Sequence, residues 1–112
     1  AFAKTDHRNY NRDGAAFNVG ETFGGLPFEK GVALASQLQS EVLPKGYTLP
    51  QLGLRWLLDQ PAVTTVIPGA SRPSQISANA AVKELAPLPP AKLAELAEFY
   101  RSEIASNIRG PY

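Results

Sequence analysis

The residues best suited to chemistry lie in one stretch, Ile67-Pro68-Gly69-Ala70-Ser71-Arg72-Pro73-Ser74-Gln75-Ile76-Ser77-Ala78-Asn79. It follows a β-branched run at 63–67 and turns through Pro68 and Gly69 into a helix that Pro73 starts. Gly69 lets a backbone approach a ligand closely. The start of a helix carries unpaired N–H groups and partial positive charge, so it favours a phosphate. Ser71 adds a hydroxyl, and Arg72 a planar cation suited to gripping phosphate oxygens with two hydrogen bonds. Gln75 and Asn79 share one face near the helix start, where amides can bond a ribose or purine edge. The same residues have a plainer reading, with Ser71 as an N-cap, Arg72 as a solvated cation and Gln75 and Asn79 as surface amides. The stretch has neither a Gly-x-Gly-x-x-Gly run nor the lysine of a P-loop, so generic phosphate fingerprints do not apply.

The elements that must position these residues are mostly helices. Residues 1–25 are rich in Asn, Asp, Arg and Gly and read as a long loop or arm, with a short extended piece at 15–19. A helix is expected from Pro27, its apolar stripe running through Phe28, Val32, Ala35, Leu38 and Val42 until Pro44 and Gly46 end it. A second opens at Thr48, with Gln51 completing the pattern of a capping box. Leu49, Leu52, Leu54, Trp56, Leu57 and Leu58 make that helix apolar nearly all round, so it needs cover on more than one side. Pro61 stops it, and Val63-Thr64-Thr65-Val66-Ile67 reads as the one strand of the chain. A third helix is expected from Pro73 to Leu85, and a fourth follows Pro87, Pro89 and Pro90. The fourth carries a stripe of Leu93, Leu96, Ala97, Tyr100 and Ile104, and the tail from Asn107 reads as irregular.

One strand among four helices leaves a problem. Its N–H and C=O groups need partners, and burying them unpaired costs about 1–3 kcal/mol each. A run such as Val66-Ile67 also suits a strand covered on both faces, as in parallel sheets. Helix, strand, turn and helix in that order suit the C-terminal part of an α/β (β/α)8 TIM barrel. Such a barrel takes about 250 residues, so 112 are expected to be too few for a complete one.

Composition narrows the function classes. Hydrophobic residues make up 44% and charged ones 19%, the mixture of a soluble globular domain. A net charge of +1 gives no support for nucleic-acid wrapping or an anionic membrane. No stretch reaches the roughly 18 apolar residues of a membrane span. Cysteine is absent, which removes disulfides and thiolate metal sites and suits a cytoplasmic setting. No metal site is expected, since no His, Asp and Glu cluster has ligand spacing. His7, the only histidine, lies in the arm, and the four Tyr all have structural readings, so no catalytic residue is assigned.

Four separated stretches together carry a family resemblance. Residues 64–79, with VIPGASRPSQISAN at their core, resemble the end of the eighth strand and start of the eighth helix of aldo-keto reductases. Leu52-Gly53-Leu54-Arg55-Trp56-Leu57-Leu58 resembles the helix leading into that strand. DHRNYNRDG at 6–14 and GETFGG at 20–25 are similar to a long loop of the bacterial and potassium-channel-β-like branch. The resemblance implies a C-terminal helix-helix-strand-helix-helix portion of the barrel over 26–112. It also implies NADP as cofactor, held at the adenosine 2′-phosphate end by Gly69, Ser71 and Arg72, with Gln75 on the phosphoadenosine and Asn79 at the adenine. Ala78 stands where the family usually has an acidic residue.

The activity implied is reduction of aldehydes and ketones to alcohols by NADPH, with NADPH and a small carbonyl compound as partners in the complete protein. The family's Tyr, Lys, His and Asp lie on earlier strands upstream of these residues, so the chain by itself is expected to be inactive. Two alternatives stand beside this one: a non-catalytic NADP-binding regulatory module, and a fragment that self-associates through uncovered apolar helix faces.

Overall fold

A computed structural model describes residues 4–5 and 25–108. The expected arm at 1–25, its extended piece and His7 lie essentially outside the described residues. Four α-helices account for most of the rest: α1 Phe28–Gln37, α2 Leu49–Leu58, α3 Pro73–Ala81 and α4 Pro90–Phe99. A π-helical turn, Leu38–Val42, follows α1, and a 3-10 turn, Val82–Glu84, follows α3. Beyond α4 come a π-helical turn Tyr100–Ile104 and a 3-10 turn Ala105–Asn107. The chain divides into two compact units, one taking in residues 38–98 and the other the described residues on either side.

In the flanking unit, α1 starts as its sequence dictates, with Gly31 N–H donating to Pro27 O at 2.9 Å. Its buried residue is Leu34, whereas Phe28 and Val32 of the expected stripe are exposed. Periodicity predicts the helix correctly but not its inner face, because the buried face is chosen by what packs against it. The segment after α4 ends on a local bond, Asn107 Nδ2 donating to Glu103 O at 3.1 Å.

In the 38–98 unit the links between helices are set by local chemistry. Tyr47 N–H donates to Pro44 O at 3.1 Å, closing a turn in which Gly46 takes φ 87°. That left-handed position is open to glycine at little cost. Thr48 then caps α2 in the expected box: Thr48 N–H donates to Gln51 Oε1 at 2.9 Å, and Gln51 N–H to Thr48 Oγ1 at 3.4 Å. The buried apolar residues of this unit are Val42, Leu52, Val82 and Leu88, so α2 commits one side to a small core and leaves Trp56 and Leu58 exposed.

Arg55 is buried beside this core. Its Nε and Nη2 donate to Asp59 Oδ1 at 3.2 and 2.9 Å, and Nη1 reaches Leu85 O at 3.4 Å. The other oxygen, Asp59 Oδ2, accepts from Leu88 N–H at 2.8 Å. Two further contacts join separate segments: Tyr47 O–H donates to Ala86 O at 3.4 Å, and Lys92 Nζ to Val42 O at 2.9 Å. Every buried side-chain polar atom among the described residues has a partner.

The expected strand at 63–67 is not formed. The described residues contain no strand, and 63–70 runs as a link without regular structure whose first N–H, Val63, donates back to Gln60 O at 3.0 Å. The reason is non-local: β-branched residues favour an extended backbone, but a strand requires a second one beside it. Ile67 is consequently 91% exposed. The third helix also stops short of its expected end, the 3-10 turn leading to extended backbone at Leu85.

Two glycine substitutions should move stability in opposite directions. Gly46→Ala places a side chain at positive φ and should cost about 1 kcal/mol. Gly53 lies inside α2, and a Cβ added there would meet nothing within 4 Å. Gly53→Ala should therefore add about 0.5–1 kcal/mol through helix propensity. Urea unfolding followed by circular dichroism measures both.

Candidate functional site

The residues singled out at 69–79 fall into two groups. The first is a hydrogen-bonded step at the start of α3. Ser71 N–H, Ser71 Oγ and Arg72 N–H all donate to one atom, Gln75 Oε1, at 2.8, 3.1 and 3.0 Å. The local sequence explains the arrangement. Pro73 has no N–H and fixes φ for the first turn, leaving Arg72 extended at φ −144°, ψ 145° as the N-cap. Ser71 is therefore not the cap. A guanidinium has no acceptor, so Arg72 cannot return the bond and only half of a capping box forms. No acidic residue stands in the first turn of α3, which leaves the positive end of the helix uncompensated by a carboxylate of its own.

Three donors aimed at one oxygen form a small cradle with the geometry of an anion contact. A neutral amide oxygen fills it. Ser71 and Arg72 are exposed and Gln75 half-buried, so the cradle opens to solvent.

The second group is Gly69 and Asn79. Both line an open groove of about 470 Å³ whose other walls are Pro50, Gly53, Leu54, Trp56, Leu57 and Pro68. Asn79 also borders a neighbouring groove of about 290 Å³, with Leu54, Leu58, Val66, Pro68, Ile76 and Ala80. Asn79 thus supplies a polar edge to an apolar cleft between α2 and α3. A Cβ at Gly69 would meet nothing within 4 Å, so nothing in the protein's own packing demands glycine there.

Gln75 and Asn79 share a face of α3 as their spacing requires, yet the structure gives them different surroundings: one folds back to the loop, the other borders the cleft. Reasoning from sequence misses the buried Arg55–Asp59 pair. Its signal lies in the i, i+4 spacing of opposite charges within an apolar helix. Among the described residues no group of three or more His, Cys, Asp or Glu side chains can hold a metal ion. No described helix is long and apolar enough to cross a membrane.

The model of the aldo/keto reductase family matches residues 2–101. The chain belongs to that family, whose members are oxidoreductases. The family implies part of a (β/α)8 barrel; the described residues are helical, without a strand, and are not a complete barrel. Comparison with curated proteins and with solved structures finds no match.

The cradle can be tested without any ligand. Gln75→Ala should leave its three donors to water and cost about 0.5–1.5 kcal/mol. Gln75→Glu should instead add about 0.3–1 kcal/mol, since a carboxylate accepts the same bonds at the positive end of a helix. Chemical denaturation of the two variants beside the parent decides the point.

Proposed function

We propose that the chain provides the adenosine 2′-phosphate end of the NADP site in an aldo-keto reductase that reduces aldehydes or ketones to alcohols. The observation that carries this is the convergence of Ser71 N–H, Ser71 Oγ and Arg72 N–H on one oxygen position. A phosphate oxygen that takes the place of Gln75 Oε1 inherits all three donors, and the Arg72 guanidinium adds charge at the same step. The open cleft bordered by Gly69 and Asn79 suits a flat aromatic base, with the Asn79 amide at its edge. When bound, the nicotinamide of the cofactor supplies the hydride. The residues of this chain hold and orient the opposite end.

A charge-assisted bond from Arg72 to the phosphate, worth about 1.5–3 kcal/mol, gives roughly ten- to hundredfold preference for NADP over NAD. Arg72→Ala should erase that preference, measured as the ratio of the two dissociation constants by calorimetry. Equal losses for both nucleotides would refute the assignment. The chain alone should not oxidise NADPH in the presence of an aromatic aldehyde, because no acid for the carbonyl is assigned in it; clear turnover would overturn that part. Affinity without turnover in the complete protein would be the mark of a regulatory module.

Exposed Ile67 and Ile76 favour a second reading, self-association through the cleft between α2 and α3. It requires a mass above that of the single chain in sedimentation equilibrium. A monodisperse monomer would rule it out.

A further inference from the structure

We infer that Arg55 and Asp59 are positioning residues for the Ser71–Arg72 cradle, acting from outside it. Asp59 closes α2: its N–H donates to Arg55 O at 3.0 Å, and the chain leaves the helix at the next residue. The same residue's carboxylate takes the N–H of Leu88, 29 positions later, at 2.8 Å. Arg55 holds that carboxylate with Nε and Nη2 and uses Nη1 to reach Leu85 O. One ion pair therefore ties both ends of the excursion that contains every candidate site residue.

Between those ties few contacts among the described residues hold the excursion. No residue of α3 is buried, and backbone 64–70 makes no hydrogen bond to any other described residue. A further anchor is Val82, 1% exposed, in the 3-10 turn that packs on α2. Val82 and the Leu85–Leu88 attachment both lie at the C-terminal end of α3, whereas the cradle lies at its N-terminal end. A small rotation at the anchored end is thus carried along the helix to Ser71 and Arg72. The side chains at 55 and 59 are 11% and 7% exposed, so water competes poorly for the tie and its geometry is well defined.

This inference rests on the reading of Ser71 and Arg72 as the phosphate end of the nucleotide site, and its test separates the two. Arg55→Lys keeps a cation beside Asp59 but cannot fork to both Asp59 and Leu85. Asp59→Asn keeps an oxygen for Leu88 N–H without the charge. In the 112-residue chain, NADP and NAD dissociation constants are measured for the parent and both variants. A loss of folded molecules weakens both nucleotides by one factor and leaves their ratio unchanged. Displacement of the cradle lowers the NADP preference, by about three- to tenfold. An unchanged ratio in both variants overturns the inference.

Backbone order parameters from NMR give a second reading that needs no nucleotide. In Arg55→Lys they should fall at Ser71, Arg72 and Gln75 while those inside α2 hold. If the parent shows no NADP preference, the site assignment fails, and the order parameters alone decide the positioning role. No change at residues 71–75 then overturns it.

Discussion

The 38–98 unit depends on what one carboxylate does with its two oxygens. Asp59 Oδ1 is occupied by Arg55 and Oδ2 by the backbone of Leu88. A buried ion pair of this kind adds little by itself, since desolvation offsets most of the attraction. Its weight lies in what it joins. The apolar core of the unit consists of a few aliphatic side chains, and four such residues cannot by themselves dictate how three helices and two long links are arranged. Directional bonds do that: Asp59, Arg55, Tyr47 and Lys92 each place one on a backbone atom of another segment.

What can be read from the sequence follows from how far each interaction reaches. The box of Thr48 and Gln51 spans three residues and is legible in full. Although α3 stops short of its expected end, the four helices are legible as elements, since Pro27, Pro61, Pro73 and Pro90 mark starts or stops by removing donors and fixing φ. The strand at 63–67 is not, although its residues have the right preferences, because pairing depends on a partner that the preferences of those residues cannot supply. The inner face of α1 is misread for a related reason: Leu34 and the Phe28–Val32 side are both apolar, and only packing distinguishes them.

The site divides along the same line. The turn into α3, where the candidate residues lie, is legible because glycine, proline, serine and arginine mark a helix start. Its internal arrangement is not. Gln75 has the sequence position of a side chain reaching outward, and instead turns back to fill the cradle that Ser71 and Arg72 form. Arg55 and Asp59 are legible as a helical pair, but their partners at Leu85 and Leu88 are about thirty residues away, beyond any local pattern.

The closure at Leu88 bears on how this part of the chain can vary. The entropy of closing a flexible loop grows only with the logarithm of its length, so doubling the span costs about 0.6 kcal/mol. A tie made at the two ends is therefore nearly indifferent to the number of residues between them. Insertions or replacements within the span leave Arg55, Asp59 and the two backbone atoms they hold untouched. The stretch between Asp59 and Val82 is in effect a replaceable cassette, and its fastening belongs to the scaffold.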